Sequence, residues 1–318
     1  MPYSSALISP ADIERQTGLG KDQLRKWRQR FGFPLLESTP SGKTAYSLKT
    51  IGRLLSIKRL LDAGFRPGQI VGTSDQELEK LKLAVGLSAQ AVSHDSVTQS
   101  LIAQLTQMDP RGFSAILTKL QAKGTLADFV RTTLAPLLIS LGDAWMRKEI
   151  DIHHQHLCTC VIERYLHAQI LKLKPIRGSP RFLLALPPGE QHVLGLLMFE
   201  AILAEQGAQT INIGADVPLN CIKLAAIESK VNALAMSFSF HYPTRQVIPT
   251  LRHLRRLLPA HIQIWAGGAG LSGVRKHPEG VHIFSNLEQA VAALHDPSLT
   301  RETLIFKGPR INTGTPSE

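Results

Sequence analysis

Cysteine is scarce in this chain, and long apolar runs are absent. Three cysteines in 318 residues are too few for a disulfide framework, which excludes a small disulfide-stapled fold. No apolar run approaches the ~20 residues that a helix needs to cross a membrane. The first residues show neither the basic segment nor the apolar segment of a signal peptide. We therefore expect a cytoplasmic protein without a membrane partner.

Acidic residues are also in short supply. Asp and Glu number 25 against 36 Lys and Arg, which gives a formal net charge of +11. Residues 1–72 hold twelve basic and five acidic residues, so this quarter of the chain carries +7. A generally basic surface is one explanation, but a clustered excess favours nucleic acid as a partner.

The same basic segment has the pattern of a winged helix-turn-helix. "SPADIERQTG" predicts a first helix with Ser9 as its N-cap, and "LGKDQLRKWRQRFG" predicts a second helix with Leu24 and Trp27 on its inner face. "FPLLESTPSGKTAYS" indicates a wing with a turn at its centre. Ser47 then caps the next helix. Two short helices joined by a glycine-bearing turn are typical of DNA-binding proteins.

This order of elements, followed by "YSLKTIGRLLSIKRLLDAGFRPGQI", resembles the DNA-binding domain of the MerR family over residues 7–72. The closest correspondence is "LRKWRQRFG", which matches the recognition helix of the family. Thr44 stands where the family usually has a basic residue, with Lys43 beside it. The resemblance implies double-stranded operator DNA as the partner and at least a dimer on it. The implied DNA contacts are Lys21, Arg25, Lys26, Arg28, Arg30, Lys43 and Tyr46.

The rest of the chain divides into segments with different periodicities. Residues 96–177 hold four apolar-periodic stretches without a strand pattern, which predicts a four-helix bundle, with Pro136 as a candidate kink. Residues 178–300 alternate the strand-like runs "RFLLAL", "TINIGA", "ALAMSFSF", "IQIWAGG" and "VHIFS" with helical stretches. That alternation predicts an α/β, doubly wound, Rossmann-like parallel sheet. The predicted multidomain order is a DNA-binding domain over 1–75, a linker over 76–95, the bundle, the sheet domain and a loose tail over 301–318.

A histidine stands in the loop after the first strand of the sheet domain. His192 has Glu190 two residues before it and Gly195 three residues after it. Ligands of open α/β sheets bind beyond the carboxyl ends of the strands, and a metal-bound histidine usually has its other nitrogen held by a carboxylate or a carbonyl group. A surface histidine with an incidental acid is the alternative. Later strand ends add small polar residues and glycines to the same rim, namely Ser237, Ser239, Gly267 and Gly268.

Together, Glu-x-His-x-x-Gly, Ser-x-Ser and Gly-Gly at successive strand ends resemble the cobalamin-binding domain shared by methionine synthase and the mutases. The resemblance implies that His192 binds cobalt from below. It also implies that the cofactor's dimethylbenzimidazole enters a slot lined by the serine and glycine strands. The residues implied to contact the cofactor here are Glu190, His192, Gly195, Ser237, Ser239, Gly267 and Gly268.

The predicted bundle carries a second, independent resemblance. In "LGDAWMRKEIDIHHQH", Trp145 precedes Gln155 and His156 with nine residues between, and this resembles the helical cap of cobalamin-binding regulators. Over residues 7 to 300 the domain order resembles the CarH and LitR light-responsive repressors. The resemblance implies a homo-oligomer, a dimer or a tetramer, that binds its operator in the dark and releases it on photolysis of adenosylcobalamin. Hydroxocobalamin and methylcobalamin are alternative ligands, and no enzymatic turnover is implied.

Some positions depart from that pattern and keep alternatives open. Gln155 stands where the family has Glu, and Met146 stands where the photoproduct uses a new histidine ligand. His156 is a candidate upper ligand of cobalt, with His153 and His154 nearby. A cobalamin sensor without photochemistry, a cobalamin-independent regulator with a protein antagonist, and a metal sensor using His156 and Cys160 all remain possible. A mutase or methyltransferase subunit is disfavoured by the DNA-binding segment.

Overall fold

The computed structural model describes residues 7–8, 10–38, 42, 44–84, 96–146, 149–271, 274 and 278–294. Several predicted features lie outside the described residues: the N-cap Ser9, Pro40 and Ser41 of the wing turn, Lys43 and the tail over 301–318.

The N-terminal part forms the winged helix-turn-helix that the sequence predicts. A three-stranded antiparallel sheet has its third strand in the middle, in the order β1-β3-β2. The elements are β1 (Leu7–Ile8), α1 (Pro10–Thr17), α2 (Lys21–Phe31), β2 (Glu37–Ser38), β3 (Thr44–Ser47), α3 (Leu48–Asp62), α4 (Pro67–Ile70) and α5 (Asp75–Ala84). Ser47 caps α3 as predicted, because its side chain accepts a hydrogen bond from the Thr50 amide at 3.4 Å.

The core of this domain lies under the second helix. Leu24 and Trp27 are buried on the inner face of α2, as their spacing predicts. Helix α5 closes the core with Leu78. Residues 75–84 therefore belong structurally to the DNA-binding domain, although most of them fall in the segment predicted as a linker, and residues 85–95 lie outside the described part of the chain.

A helical bundle follows. Its elements are α6 (Ser96–Thr106), α7 (Pro110–Gln121), α8 (Leu126–Phe129), a π-helical turn (Val130–Leu134), α9 (Ala135–Met146) and α10 (Ile152–Ile170). The π-helical turn stands directly before Pro136, where the Ala135 amide donates to the Val130 carbonyl. The wider turn relieves the clash of the proline ring with the preceding turn, so a π-bulge takes the place of a simple kink. Among the described helices, none is long and apolar enough to cross a membrane.

The third part is a five-stranded parallel sheet with helices on both faces, as the alternating pattern predicts. Its elements are β4 (Arg181–Leu184), α11 (Leu194–Glu205), β5 (Gln209–Asn212), α12 (Leu219–Glu228), β6 (Ala233–Ser237), α13 (Thr244–Leu257), β7 (Gln263–Gly267), β8 (Val281–Ile283) and α14 (Leu287–Leu294). The strand order is β5-β4-β6-β7-β8, and all neighbouring pairs are parallel. Helices α11 and α14 contact each other, and so do α12 and α13.

Helix α11 joins the sheet domain to the bundle. Leu197, Ala201 and Ile202 on α11 belong to the same buried cluster as the bundle core. The carboxylate of Glu205 accepts hydrogen bonds from the backbone amides of Leu126 and Ala127, both at 2.7 Å, and so caps the first turn of α8. The loop that carries His192 leads directly into α11, so its position relative to the bundle is set by this packing.

Candidate functional site

The strand order places a crevice at the carboxyl ends of β4 and β6. After β4 the chain adds β5 on one side of it, and then crosses over to add β6 on the other side. The direction of winding therefore reverses at the boundary between β4 and β6. Such a switch point is where open α/β sheets bind ligands. His192 follows β4 and Ser239 follows β6, and the Ser239 Oγ lies 3.1 Å from the His192 Nδ1.

Glu190 organises this pair of loops from a buried position. Its Oε1 accepts hydrogen bonds from the His192 backbone amide at 2.9 Å and lies 2.7 Å from the His192 Nδ1. Its Oε2 accepts from the Ser239 backbone amide at 2.7 Å. Burial acts to raise the pKa of Glu190, but the hydrogen bonds and charge of His192, with the Ser239 amide, outweigh it and hold that pKa below its ordinary value. One carboxylate thus connects both strand ends.

The imidazole of His192 is held in one orientation. Its Nδ1 faces Glu190 and Ser239, and no described hydrogen bond uses its Nε2. The side chain is 47% exposed, and the ring of His241 stacks on it with centroids 4.3 Å apart at 12°. A histidine whose Nδ1 is held by a carboxylate and whose Nε2 is accessible is arranged as a metal ligand. His241 was not among the predicted site residues, although its place two residues after Ser239 puts it on the same rim.

Small residues on α11, β6 and β7 lie behind this rim. A Cβ atom at Gly195 would come within 2.8 Å of the Ser237 Oγ, and Ser237 itself is buried. A Cβ atom at Gly267 would meet only the Phe284 carbonyl at 3.7 Å. The missing side chain at Gly195 therefore lets α11 approach the end of β6 closely, whereas a side chain at Gly267 would meet no close neighbour.

Gly268 has a different reason from the one predicted. Gly267 and Gly268 were both predicted to make room for a ligand. Instead, Gly268 has a φ of +102°, and a Cβ atom there would lie 2.4 Å from the Phe238 carbonyl oxygen. It permits a backbone-to-backbone contact between the loops after β6 and β7. Only Gly267 is left to line the slot.

The cap residues predicted above the site differ in environment. Trp145 is partly buried and packs against both the bundle core and the core of the DNA-binding domain. Gln155 and His156 are exposed in the first turns of α10. Both side chains are therefore open to contacts with a ligand.

A group of possible metal ligands lies at the start of α10. The ligand atoms of Asp151, His153 and His154 all lie within 4.8 Å of one another. The His154 Nδ1 accepts a hydrogen bond from the Asp151 amide at 2.9 Å, so the group also serves as the cap of the helix. Desolvation and the neighbouring His153 lower the pKa of His154, against the opposing effect of Asp151.

The residues of the alternative metal sensor do not form a group of this kind. Among the described residues, the single group of three or more possible ligands contains neither His156 nor Cys160. Cys158 is buried, and burial raises the pKa of its thiol to about 12, so it packs as a small apolar residue.

The predicted DNA contacts on α2 share one solvent-facing surface. Those exposed there are Lys21, Arg25, Lys26 and Arg30, with Arg28 half-buried. Arg25 also pairs with Asp22 at 3.1 Å, an exposed contact that leaves it free to move to a phosphate. Tyr46 requires a correction: it is 5% exposed and belongs to the domain core. Its ring packs into the domain core and does not face the solvent.

Comparison with known proteins agrees with this architecture. Residues 8–77 match the MerR HTH family regulatory proteins. The chain is 26% identical over 277 residues to the HTH-type transcriptional repressor CarH of Myxococcus xanthus, which covers 85% of this chain and 92% of that protein. It is 27% identical over 235 residues to the repressor CarA of the same organism, covering 71% and 74% of the two chains.

A solved structure shares the fold of the C-terminal part. The monomethylamine corrinoid protein of Methanosarcina barkeri superimposes with a TM-score of 0.51 at 17% identity, covering 64% of this chain and 99% of that one. At this identity the likeness concerns the fold alone. The chain therefore joins a MerR-type helix-turn-helix domain to a helical and α/β part with the fold of a corrinoid protein, and it is similar over most of its length to the CarH and CarA repressors.

Proposed function

We propose that this protein is a cobalamin-binding transcriptional repressor that works in the cytoplasm. The observation that carries the proposal is the arrangement of Glu190, His192 and Ser239 at the switch point of the sheet. It occurs in a chain whose first domain matches a family of DNA-binding regulators. The similarity to two proteins named as repressors supports repression of transcription and not activation.

The DNA-binding half of the proposal rests on α2. Its exposed basic residues would contact phosphates and base edges in the major groove, while Trp27 holds the helix to the domain core. A single domain of this kind reads one half-site, so we propose a homodimer or homotetramer on a near-palindromic operator. The wing would extend the contact along the DNA backbone through Lys43, which lies outside the described residues.

The cofactor half rests on the switch-point residues. His192 would hold cobalt through Nε2, and Glu190 would keep the Nδ1 proton and orient the ring. Gly195, Ser237 and Gly267 would border the slot for the base of the cofactor. Trp145 would cover the opposite side, with Gln155 and His156 beside it. Adenosylcobalamin bound there would supply a cobalt–carbon bond that visible light breaks, so its loss would report illumination.

The test is an absorption spectrum of the protein purified in darkness with adenosylcobalamin, taken before and after green light. We expect a bound spectrum that changes on illumination, together with a change in elution volume. His192→Ala should lose the spectrum of histidine-bound cobalt, whereas His253→Ala, an exposed histidine on α13, should keep it. An unchanged bound spectrum in the His192→Ala protein refutes the assignment of this ligand.

A cobalamin sensor without photochemistry is the second candidate. Met146 stands where the resemblance implies the histidine ligand of a photoproduct, and a thioether, which prefers softer metals, does not replace imidazole on Co(III). Size-exclusion chromatography in four runs distinguishes the two candidates. The runs are adenosylcobalamin in the dark, adenosylcobalamin after illumination, hydroxocobalamin, and no ligand. A change with ligand but not with light favours sensing of cobalamin supply. Identical elution in all four runs leaves a cobalamin-indifferent repressor.

A further inference from the structure

The DNA-binding domain is packed against the sheet domain at the rim that carries His192. We call this the docking contact. Its members on the DNA-binding side are Glu14, Gly18, Lys58 and Arg59, and its members on the sheet side are Phe240, His241, Thr244 and Arg245.

Lys58 is the centre of the docking contact. It is only 4% exposed, which is unusual for a lysine unless it is paired. Its Nζ donates to both carboxylate oxygens of Asp62 at 2.6 Å and to the Thr244 Oγ1 at 3.2 Å. It also lies 5.2 Å from the centroid of the Phe240 ring. Two of its three partners belong to the sheet domain, so the burial of this charge depends on docking.

The two backbones approach closely beside this lysine. Gly18 has a φ of +67°, and a Cβ atom there would lie 3.1 Å from the His241 carbonyl oxygen and 3.3 Å from that of Phe240. At the edge of the contact, Arg245 pairs with Glu14 at 3.1 Å. The turn between α1 and α2 therefore fits against the loop after β6, with an ion pair beside it.

Both walls of the candidate cofactor site touch the docked domain. Phe240 lies between Ser239 and His241, whose ring stacks on His192, and it packs against the core of the DNA-binding domain. Trp145, the cap residue expected to cover the cofactor, packs against that same core. The docked domain thus contacts both the lower rim and the cap of the candidate site.

We propose that the DNA-binding domain closes the candidate cofactor site in the ligand-free chain and competes with cobalamin for it. This inference rests on the proposed function. The imidazole of His192 stays reachable at 47% exposure, whereas full seating of the cofactor requires the domain to leave. The recognition helix is not part of the docking contact, so Arg25 and Lys26 remain exposed. Docking therefore restricts the orientation of the domain without covering its DNA-reading face.

Exchanging the charges of the edge ion pair tests the competition. Glu14→Arg places two cations together and weakens docking, and Arg245→Glu does the same with two anions. The observed dissociation constant equals the intrinsic one divided by the undocked fraction. Each single variant should therefore bind hydroxocobalamin more tightly, by about three- to tenfold given the strength of exposed charge pairs. The double variant Glu14→Arg/Arg245→Glu restores the pair in reverse and should return to the wild-type value.

The control is Glu77→Arg, the same charge change on α5 of the same domain, where the partner is Lys80. Hydrogen exchange of the ligand-free proteins gives a second readout: amides of residues 14–20 and 239–245 should exchange faster in each single variant, but not in the control. Adding hydroxocobalamin to the wild type should also speed the exchange of these amides. Equal binding in the wild type and both single variants overturns the competition and leaves the proposed function standing. Absence of binding in every protein overturns both.

Discussion

Replacing Glu190 by glutamine tests the organisation of the candidate site most directly. The carboxylate accepts two hydrogen bonds from His192 on one oxygen and one from the Ser239 amide on the other. Glutamine preserves the shape, but its NH2 group must then face either the Ser239 amide or the two His192 donors. A buried donor without an acceptor costs about 1–3 kcal/mol, and each remaining bond weakens from the charge-assisted range of about 1.5–3 kcal/mol to the neutral range of about 0.5–1.5 kcal/mol.

We therefore expect Glu190→Gln to lower the free energy of unfolding by ~2–4 kcal/mol. Because the imidazole loses the group that holds it, the affinity for hydroxocobalamin should fall by ~10–100-fold, the usual effect of removing such a support. Urea denaturation followed by circular dichroism measures the first change, and titration followed by the visible spectrum measures the second. Cobalt should still bind His192, so the spectrum of the bound form should be retained.

Glu200→Gln is the matched control. Glu200 lies on α11, is buried, and accepts a hydrogen bond from the Asn212 Nδ2 at 2.6 Å. A glutamine carbonyl can keep that bond, so this variant should lose less stability and bind hydroxocobalamin as the wild type does. If Glu190→Gln binds with an unchanged dissociation constant while Glu200→Gln behaves the same, the carboxylate does not orient the cobalt ligand and the reasoning is wrong.

The pH dependence of the unfolding free energy tests whether Glu190 is charged in the folded protein. The folded state holds the pKa of Glu190 below its ordinary 4.5, so its carboxylate stabilises the fold fully above about 4.5. That contribution is lost as the pH falls through the folded-state pKa. Glutamine does not titrate. The difference in unfolding free energy between the wild type and Glu190→Gln should therefore be largest near neutral pH and shrink in acid; a constant or growing difference would contradict the charge assignment.

Three further predictions concern the rest of the chain. Arg25→Ala should weaken operator binding by ~1–3 kcal/mol if it reads a base, or lower the salt dependence by about one counterion if it contacts a phosphate; band-shift titrations at several salt concentrations distinguish these, and unchanged binding removes Arg25 from the interface. Ser47→Ala should cost about 1 kcal/mol of stability by removing the cap of α3, measured by denaturation, and no loss would mean that the cap is dispensable. Gly268→Ala should destabilise more than Gly32→Ala in thermal unfolding. Both glycines have positive φ, but a Cβ atom would clash with a backbone carbonyl only at Gly268; equal losses would refute the clash.

Periodicity predicted the helices of the bundle and the strands of the parallel sheet. The inner strands β4, β6 and β7 are largely buried, so they read as apolar runs between helical stretches, whereas the edge strands β5 and β8 are only partly buried. Spacing also placed Leu24 and Trp27 on the inner face of α2, and the N-cap preference of serine located the start of α3 at Ser47. These features depend on neighbours within a few residues, which a single sequence contains.

Features that depend on tertiary neighbours were predicted less well. Tyr46 lies in a wing whose sequence suggests exposure, but β3 packs against α1 and α3, and the ring is buried in the domain core. Gly268 looks like an opening for a ligand, whereas its φ and the nearby β6 backbone give it a packing role. The π-helical turn before Pro136 likewise reflects how the helix relieves a clash, which the proline alone does not specify.

The docking contact also depends on tertiary neighbours, and the sequence did not predict it. Nothing in the spacing of Lys58 or Phe240 connects residues 182 positions apart, and Lys58 read alone is one more basic residue in a basic domain. Only the fold shows that its charge is covered by the rim of the candidate site. If cofactor binding requires undocking, thermodynamic reciprocity demands that any partner favouring the undocked domain, operator-bound dimers included, raises the affinity for the cofactor by the same factor by which the cofactor raises theirs. The exposed recognition helix and the covered back of the domain would then act as two ends of one equilibrium: DNA selects the orientation of the domain from one side, and the cofactor from the other.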